Sequence, residues 1–499
     1  MSASAEQVLR GLVSREPYAP GHWLQLAALL EGQGKLPAAE ECYGQLIARL
    51  PELAVAHFNL ACFLRRRGRL EEALREHQQA LDLNIDQPEE VLSNMGVIHT
   101  ELRQDTAARS FLERALAIRP TYIPAMFNLA LLLEEFGDLQ AALELFERIL
   151  DQDPTYYDAL IRIAYARPIR DRADPVVRKL QRALRRSHID PLTRESLHFA
   201  LGKACDDCGL FDEAFAHYQS GNRESATRLR PYDRPSEATR VSEILRMFTP
   251  QWLAAATPVS SRPLVFITGM FRSGSTLIEQ VLSQHPRVAA GGEIDYFHRQ
   301  LAQSGMRFPG SLADIGPGGY HSLGTGYLEY LDKAFPSGAI ITNKRPDSFE
   351  FLGLLKALFP NARFVNTVRD PLDTCLSIYF EQLDDRVAYA SDLGNIAHHW
   401  QQYRKLMQHW QGLFGPSIID VDYDDFVVDP GRVTEQLLRF LDLEWHEGCL
   451  DFQRSRNRVR TASVRQVREP VYRKSSGRWR NYERHLEPVQ RMLATPAGG

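Results

Sequence analysis

Between residues 26 and 154 the chain repeats itself at one spacing, and this constrains its fold more than any other feature. Leu26-Ala27, Leu30, Ala39, Tyr43 and Pro51 recur as Leu60-Ala61, Leu64, Ala73, His77 and Ile85, each 34 residues later. Met95-Gly96, Ala108, Leu112, Ala115 and Pro120 form a third unit, and Leu129-Ala130, Leu133, Ala142, Phe146, Ile149 and Pro154 a fourth, again 34 residues on. A period of this length encodes a helix–turn–helix hairpin that cannot bury its apolar face alone and must stack on its neighbours. Ala61, Gly96 and Ala130 let the two helices of a unit approach, and Ala73, Ala108 and Ala142 admit the next unit. Gly34, Gly68 and Gly137 break the helices at the turns. A fifth unit opens at Tyr157, Ile163 and Ala164 and degenerates into RPIRDRADP; a last one returns at Leu201-Gly202, Ala214 and Tyr218. We therefore expect an α-solenoid over residues 1–222, whose concave groove binds rather than catalyses.

Residues 223–262, rich in Arg, Pro, Ser and Thr, are expected to form a linker with one short helix, SEILRMF. Over 263–499 the period changes. The apolar runs VFIT, AIIT, RFVNTV and SIIDVDY alternate with helical stretches, which is the pattern of a parallel sheet with crossover helices. The fold class is thus multidomain, α followed by α/β. With 499 residues the chain has room for both cores. A net charge of −4 offers nucleic acid or an acidic membrane no general attraction. No run reaches the ~18 apolar residues of a membrane span, so a soluble cytoplasmic protein is expected. Six cysteines in such a length do not make a disulfide framework, and Cys205 and Cys208 read as thiols filling a helix pair.

Active sites in parallel sheets lie beyond the carboxyl ends of the strands, and each expected strand end carries a polar group. The first runs into Gly269-Met270-Phe271-Arg272-Ser273-Gly274-Ser275-Thr276, a turn framed like a nucleotide-phosphate loop but with Ser275 where the lysine of such loops stands. The anion cradle is kept and the equipment for Mg²⁺-assisted phosphoryl transfer is not, which disfavours a kinase and suits a phosphate-bearing donor that passes on a sulfuryl group. Glu293 follows two glycines at a second strand end, Lys344 ends AIITNK, Arg369 ends RFVNTV with Ser377 two helical turns on, and Tyr423 ends SIIDVDY. Taken singly, Glu293 is a solvated loop carboxylate and Lys344 a surface lysine. A basic run, TASVRQVREPVYRKSSGRWRNY, has the make-up of a flap over a polyanionic nucleotide.

Together these pieces resemble the bacterial proteins that join tetratricopeptide repeats to a P-loop-like sulfotransferase domain similar to tyrosylprotein sulfotransferases. The most specific are PLVFITGMFRSGSTLIEQVLSQHP, TNKRPDSFEFLGLLKALFPNARFVNTVRDP and TASVRQVREPVYRKSSGRWRNYE. The resemblance implies 3′-phosphoadenosine 5′-phosphosulfate (PAPS) as donor and no metal. It implies that Arg272, Ser273, Gly274, Ser275 and Thr276 hold the 5′-phosphosulfate, that Arg369 and Ser377 hold the 3′-phosphate, and that Tyr423 lies near the adenosine. Ser463 and Arg478 would complete the nucleotide contacts. Glu293 would be the catalytic base, with Arg272, Lys344 and Ser463 stabilising the transition state. Phe271 stands where the family usually has Pro, and Ser275 where Thr is usual. The expected acceptor is a peptide or protein tyrosine presented by the repeat groove. A carbohydrate or small-molecule acceptor, and a repeat scaffold with an inactive nucleotide domain, are the alternatives. Homo-oligomer formation is left open.

Overall fold

The computed structural model describes residues 2–305, 307–335, 338–452 and 475–494. It divides into two compact units, Met1–Ala159 and Leu160–Gly499.

In the first unit a helix, Ser2–Arg15, precedes four hairpins: Pro20–Gly32 with Leu36–Arg49, Ala54–Arg66 with Leu70–Asp82, Pro88–Glu101 with Asp105–Ile118, and Ile123–Phe136 with Leu139–Gln152. The recurring small positions are the buried ones: Ala27, Ala39, Ala61, Ala73, Ala108, Ala130 and Ala142 have no exposed surface. Gly96 shows why size matters there, since a Cβ on it would lie 2.7 Å from Leu112 Cγ.

The second unit holds more helix than its sequence advertised. The segment RPIRDRADP does not end the fifth hairpin: helix Tyr157–Ala166 is followed by Pro175–Leu184. Asp174 caps that second helix, accepting from the Val176 N–H at 2.8 Å while Arg167 forks onto the same carboxylate at 2.8 and 2.9 Å. Likewise, the stretch expected to hold one short helix contains Arg234–Met247 and Pro250–Ala255. Its arginines are not simply solvated, because Arg240 sits between Glu237 and Glu350 at 2.8 and 2.7 Å.

Among the described residues five parallel strands follow: β1 (Val265–Gly269), β2 (Val288–Ala290), β3 (Ile340–Lys344), β4 (Arg363–Val368) and β5 (Ile418–Asp422), in the order β2-β3-β1-β4-β5. Side chains alternate across the sheet. Phe266 and Phe364 stack at 5.8 Å on one face, and Val265, Ile267, Val365 and Val421 pack with Leu277 and Ile278 on the other. The Phe266 face is shared with the last hairpin, Pro191–Asp207 and Phe211–Arg228, which contributes Phe199, Phe215 and Tyr218 to the same core. Tyr218 stacks on Phe380 at 3.8 Å, and Asn222 donates to the Tyr379 carbonyl at 2.8 Å. None of the described helices is long and apolar enough to cross a membrane.

Candidate active site

β1 lies between β3 and β4, so the chain leaves its end into a crevice flanked by both neighbours. The turn from β1 into the helix Ser275–Leu282 is shaped by three left-handed residues, Gly269 (φ 141°), Arg272 (φ 67°) and Gly274 (φ 105°). Gly274 is required twice over, because a Cβ there would also come within 2.9 Å of the Tyr423 ring. Ser273 is 1% exposed and turned inward. Its hydroxyl and N–H both donate to the Met270 carbonyl, at 2.7 and 3.2 Å, and its Oγ lies 2.7 Å from Thr367 Oγ1. Ser273 therefore shapes the loop. N–H groups in the first turn of a helix are suited to an anion, and the helix Ser275–Leu282 begins directly after this turn.

Arg272, left-handed at a residue other than glycine, is a strained position held by what surrounds it. Its Nε donates to Ser377 Oγ at 3.1 Å, and its carbonyl accepts from Arg369 at 3.2 Å. The guanidinium of Arg369 lies over the Tyr423 ring at 4.9 Å and donates to the Ser475 carbonyl. Arg272, Tyr423 and the pair Arg369 and Ser377 thus converge from three separate stretches of chain. Among the described residues the buried Nε of Arg369 has no hydrogen-bond partner, and burial pulls the Arg369 pKa down against the opposing pull of Asp373. A buried cation with an unused donor beside a left-handed turn is a fitting seat for an anion.

On the other flank Lys344, 1% exposed, donates to Glu293 Oε1 at 2.6 Å. A second carboxylate, missed in the sequence, builds this pair. Glu279, on the helix Ser275–Leu282, accepts from the Gly292 N–H at 3.0 Å and from Thr342 Oγ1 at 2.8 Å. It thereby fixes the Gly291-Gly292-Glu293 turn against β3, where the Lys344 N–H also donates to the Gly292 carbonyl at 2.9 Å. Burial pushes the Glu279 pKa up while the Lys344 charge draws it down. All eight residues of that helix are buried, and a buried acid must find partners.

Arg478 donates to Asp206 of the last hairpin at 2.6 Å and lies over the Phe380 ring at 5.3 Å. Beside it, Asp373 accepts from the N–H groups of Gly477 and Trp479, at 2.5 and 2.8 Å, and draws the C-terminal segment toward Arg369. Ser463 and most of the basic run lie outside the described residues.

Residues 263–447 match the profile of the sulfotransferase family, and residues 24–88 and 87–154 match tetratricopeptide-repeat profiles. The chain joins tetratricopeptide repeats to a sulfotransferase domain. An uncharacterized protein of Aquifex aeolicus (strain VF5) is 26% identical over 94% of this chain and 62% of its own length. A protein-tyrosine sulfotransferase of Drosophila melanogaster is 26% identical over 44% of this chain and 47% of its own, and protein-tyrosine sulfotransferase 1 of Danio rerio 27% identical over 38% and 55%. The chain thus spans about half the length of the curated sulfotransferases it matches. The turn at Arg272, Glu293, Lys344, Arg369, Ser377 and Tyr423 all fall inside the matched sulfotransferase segment, whereas Arg478 falls beyond it.

Proposed function

We propose that the protein transfers a sulfuryl group from PAPS to the hydroxyl of a peptide or protein tyrosine, with Glu293 as general base. The observation that carries this reading is the Lys344–Glu293 pair, 2.6 Å apart at the end of β3, the strand beside the one that feeds the anion-binding turn. PAPS supplies the sulfuryl group and departs as adenosine 3′,5′-bisphosphate. The residues present suit it: the start of the helix Ser275–Leu282 and Arg272 for the 5′-phosphosulfate, Arg369 with its unused Nε and Ser377 for the 3′-phosphate, and the Tyr423 ring for the adenosine.

A phenol has a pKa near 10 and is a poor nucleophile at neutral pH. Glu293 accepts the acceptor's proton as the acceptor oxygen bonds to sulfur and the bridging sulfur–oxygen bond breaks. A positioned base of this kind is worth about 10²–10⁴-fold. Arg272 and Lys344 meet the charge that grows on the departing oxygen, in a site where Lys344 is shut off from water. Lys344 engages Oε1 of Glu293 at rest and leaves Oε2 to take the proton.

Glu293→Ala is expected to abolish transfer while calorimetry with adenosine 3′,5′-bisphosphate still gives near wild-type affinity; equal loss of both would count against the base. Labelled PAPS offered with desulfated peptides and glycans, read by mass spectrometry for the added sulfuryl group, tests the acceptor class. Label on glycans alone would move the assignment to a carbohydrate sulfotransferase. Failure to bind the bisphosphate nucleotide would leave a repeat scaffold with an inactive domain.

A further inference from the structure

Beside Glu293 opens a cavity of about 360 Å³ whose walls come from two distant parts of the chain. Phe271 of the β1 turn, Arg345 and Asp347 form one side with Glu293. Leu192 and Arg228, at the two ends of the last helical hairpin, form the other. The two sides are tied together, since Ser196, one turn after Leu192, donates to Gln382 at 3.0 Å. A cleft that touches both the proposed base and Phe271 is where an acceptor hydroxyl has to enter, so the last hairpin borders the reaction.

The two arginines of this cleft are already paired from within. Arg228 forks onto Glu195 at 3.0 and 3.1 Å, and Glu195 is 1% exposed. Arg345 forks onto Asp347 at 2.7 and 3.1 Å. Among the described residues, the two cations lining the cleft are therefore both committed to carboxylates of the protein. An acidic group on an incoming acceptor would have to break one of these forks and strand a carboxylate, or face Glu293, Asp347 and Asp384 with no uncommitted cation among the described lining residues to meet it. An apolar group meets Phe271 and Leu192, the latter a large apolar side chain left 49% exposed at the rim.

We propose that the last hairpin of the repeat region is one wall of the acceptor site, with Leu192 as a specificity-determining residue, and that the site selects a hydroxyl on an uncharged, apolar-flanked segment over one flanked by carboxylates. This rests on the sulfuryl-transfer reading above. The test uses the full chain, PAPS and two tyrosine peptides that differ only in flanking residues, uncharged in one and acidic in the other.

The uncharged peptide is expected to have the higher kcat/KM by about tenfold or more. Leu192→Lys, which places an uncommitted cation at the exposed rim, is expected to shift that ratio toward the acidic peptide by about tenfold, with the dissociation constant of adenosine 3′,5′-bisphosphate unchanged. Leu192→Ser, which removes the apolar contact without adding charge, lowers kcat/KM for the uncharged peptide alone. Preference of the wild type for the acidic peptide, or a ratio that Leu192→Lys leaves unmoved, overturns the proposal while sulfuryl transfer stands. Absence of label on either peptide, with bisphosphate binding intact, overturns the tyrosine reading itself and this proposal with it.

Discussion

The hairpin Pro88–Glu101/Asp105–Ile118 and the hairpin Pro191–Asp207/Phe211–Arg228 share a sequence pattern, yet they differ in what covers them. In the first, Gly96 lies against Leu112 inside the hairpin and Ala108 is buried, while the hairpins before and after it supply its neighbours. In the second, Gly202 lies against Tyr218 and Gly221 against Phe199, and the aromatic surface so formed closes on Tyr379, Phe380 and Tyr482. The repeat period specifies the hairpin. The outer residues specify the neighbour, and here a repeat has become part of an α/β domain.

The sharpest way to break that comparison is to cut the same size of side chain from each region. Tyr218→Ala removes a buried ring stacked on Phe380 and should cost about 3–5 kcal/mol. The loss should register as faster hydrogen exchange in residues 160–494 and weaker binding of adenosine 3′,5′-bisphosphate. Phe146→Ala in the fourth hairpin, also fully buried, should cost a similar amount, confined to residues 2–159, with nucleotide binding retained. Equal loss of nucleotide binding in both variants would erase the distinction.

Arg478 sharpens it further. Arg478→Met leaves Asp206 without its cation and should destabilise the second unit by about 2 kcal/mol, discounted because both side chains are partly exposed. Adding Asp206→Asn should restore most of the stability and, with it, nucleotide affinity. If affinity stays low in a double variant whose melting temperature has recovered, Arg478 contacts the nucleotide directly.

How much of this was legible follows from the same contrast. The strand runs and the glycine-framed turn could be read from local pattern, whereas Glu293 and Lys344 read singly as a loop carboxylate and a surface lysine, and only the family resemblance set them beside Arg369 and Ser377 at the strand ends of one sheet. Ser273 could not be separated from its neighbours in the turn, since only the inward rotation of its side chain distinguishes it. Asp206, Asp373 and Glu279 were invisible for a related reason: each sits in an ordinary helical position, and its partners lie on other elements. The segments 167–175 and 223–262 misled by composition, as arginine and proline there serve helix caps and ion pairs.

Glu279 offers a smaller effect at the catalytic end. Glu279→Ala should lower kcat about tenfold, near 1.4 kcal/mol, by freeing the turn that carries Glu293, with KM for the donor little changed. Glu279→Gln keeps an oxygen for Gly292 and Thr342 and should recover most of the rate. If Gln and Ala variants are equally slow, the charge beside Lys344 matters more than the clamp.

The smallest effect is one of pH, and it sits in the cleft beside Glu293, wholly within the second unit. Burial works to raise the Asp347 pKa, but His298 at 3.3 Å and Arg345 at 2.7 Å outweigh it and hold the carboxyl well below the usual range. A carboxyl whose folded pKa is depressed binds its proton more readily in the unfolded chain. Its stabilisation is complete above the unfolded value near 3.9 and is lost as pH falls toward the folded pKa. Asp347→Asn should therefore flatten the acid limb of the stability curve by about 1 kcal/mol and leave the early repeats unchanged. Chemical denaturation at stepped pH, followed by hydrogen exchange in each unit, would reveal the difference. Flattening of equal size in residues 2–159 would mean that the acid limb does not belong to this cleft.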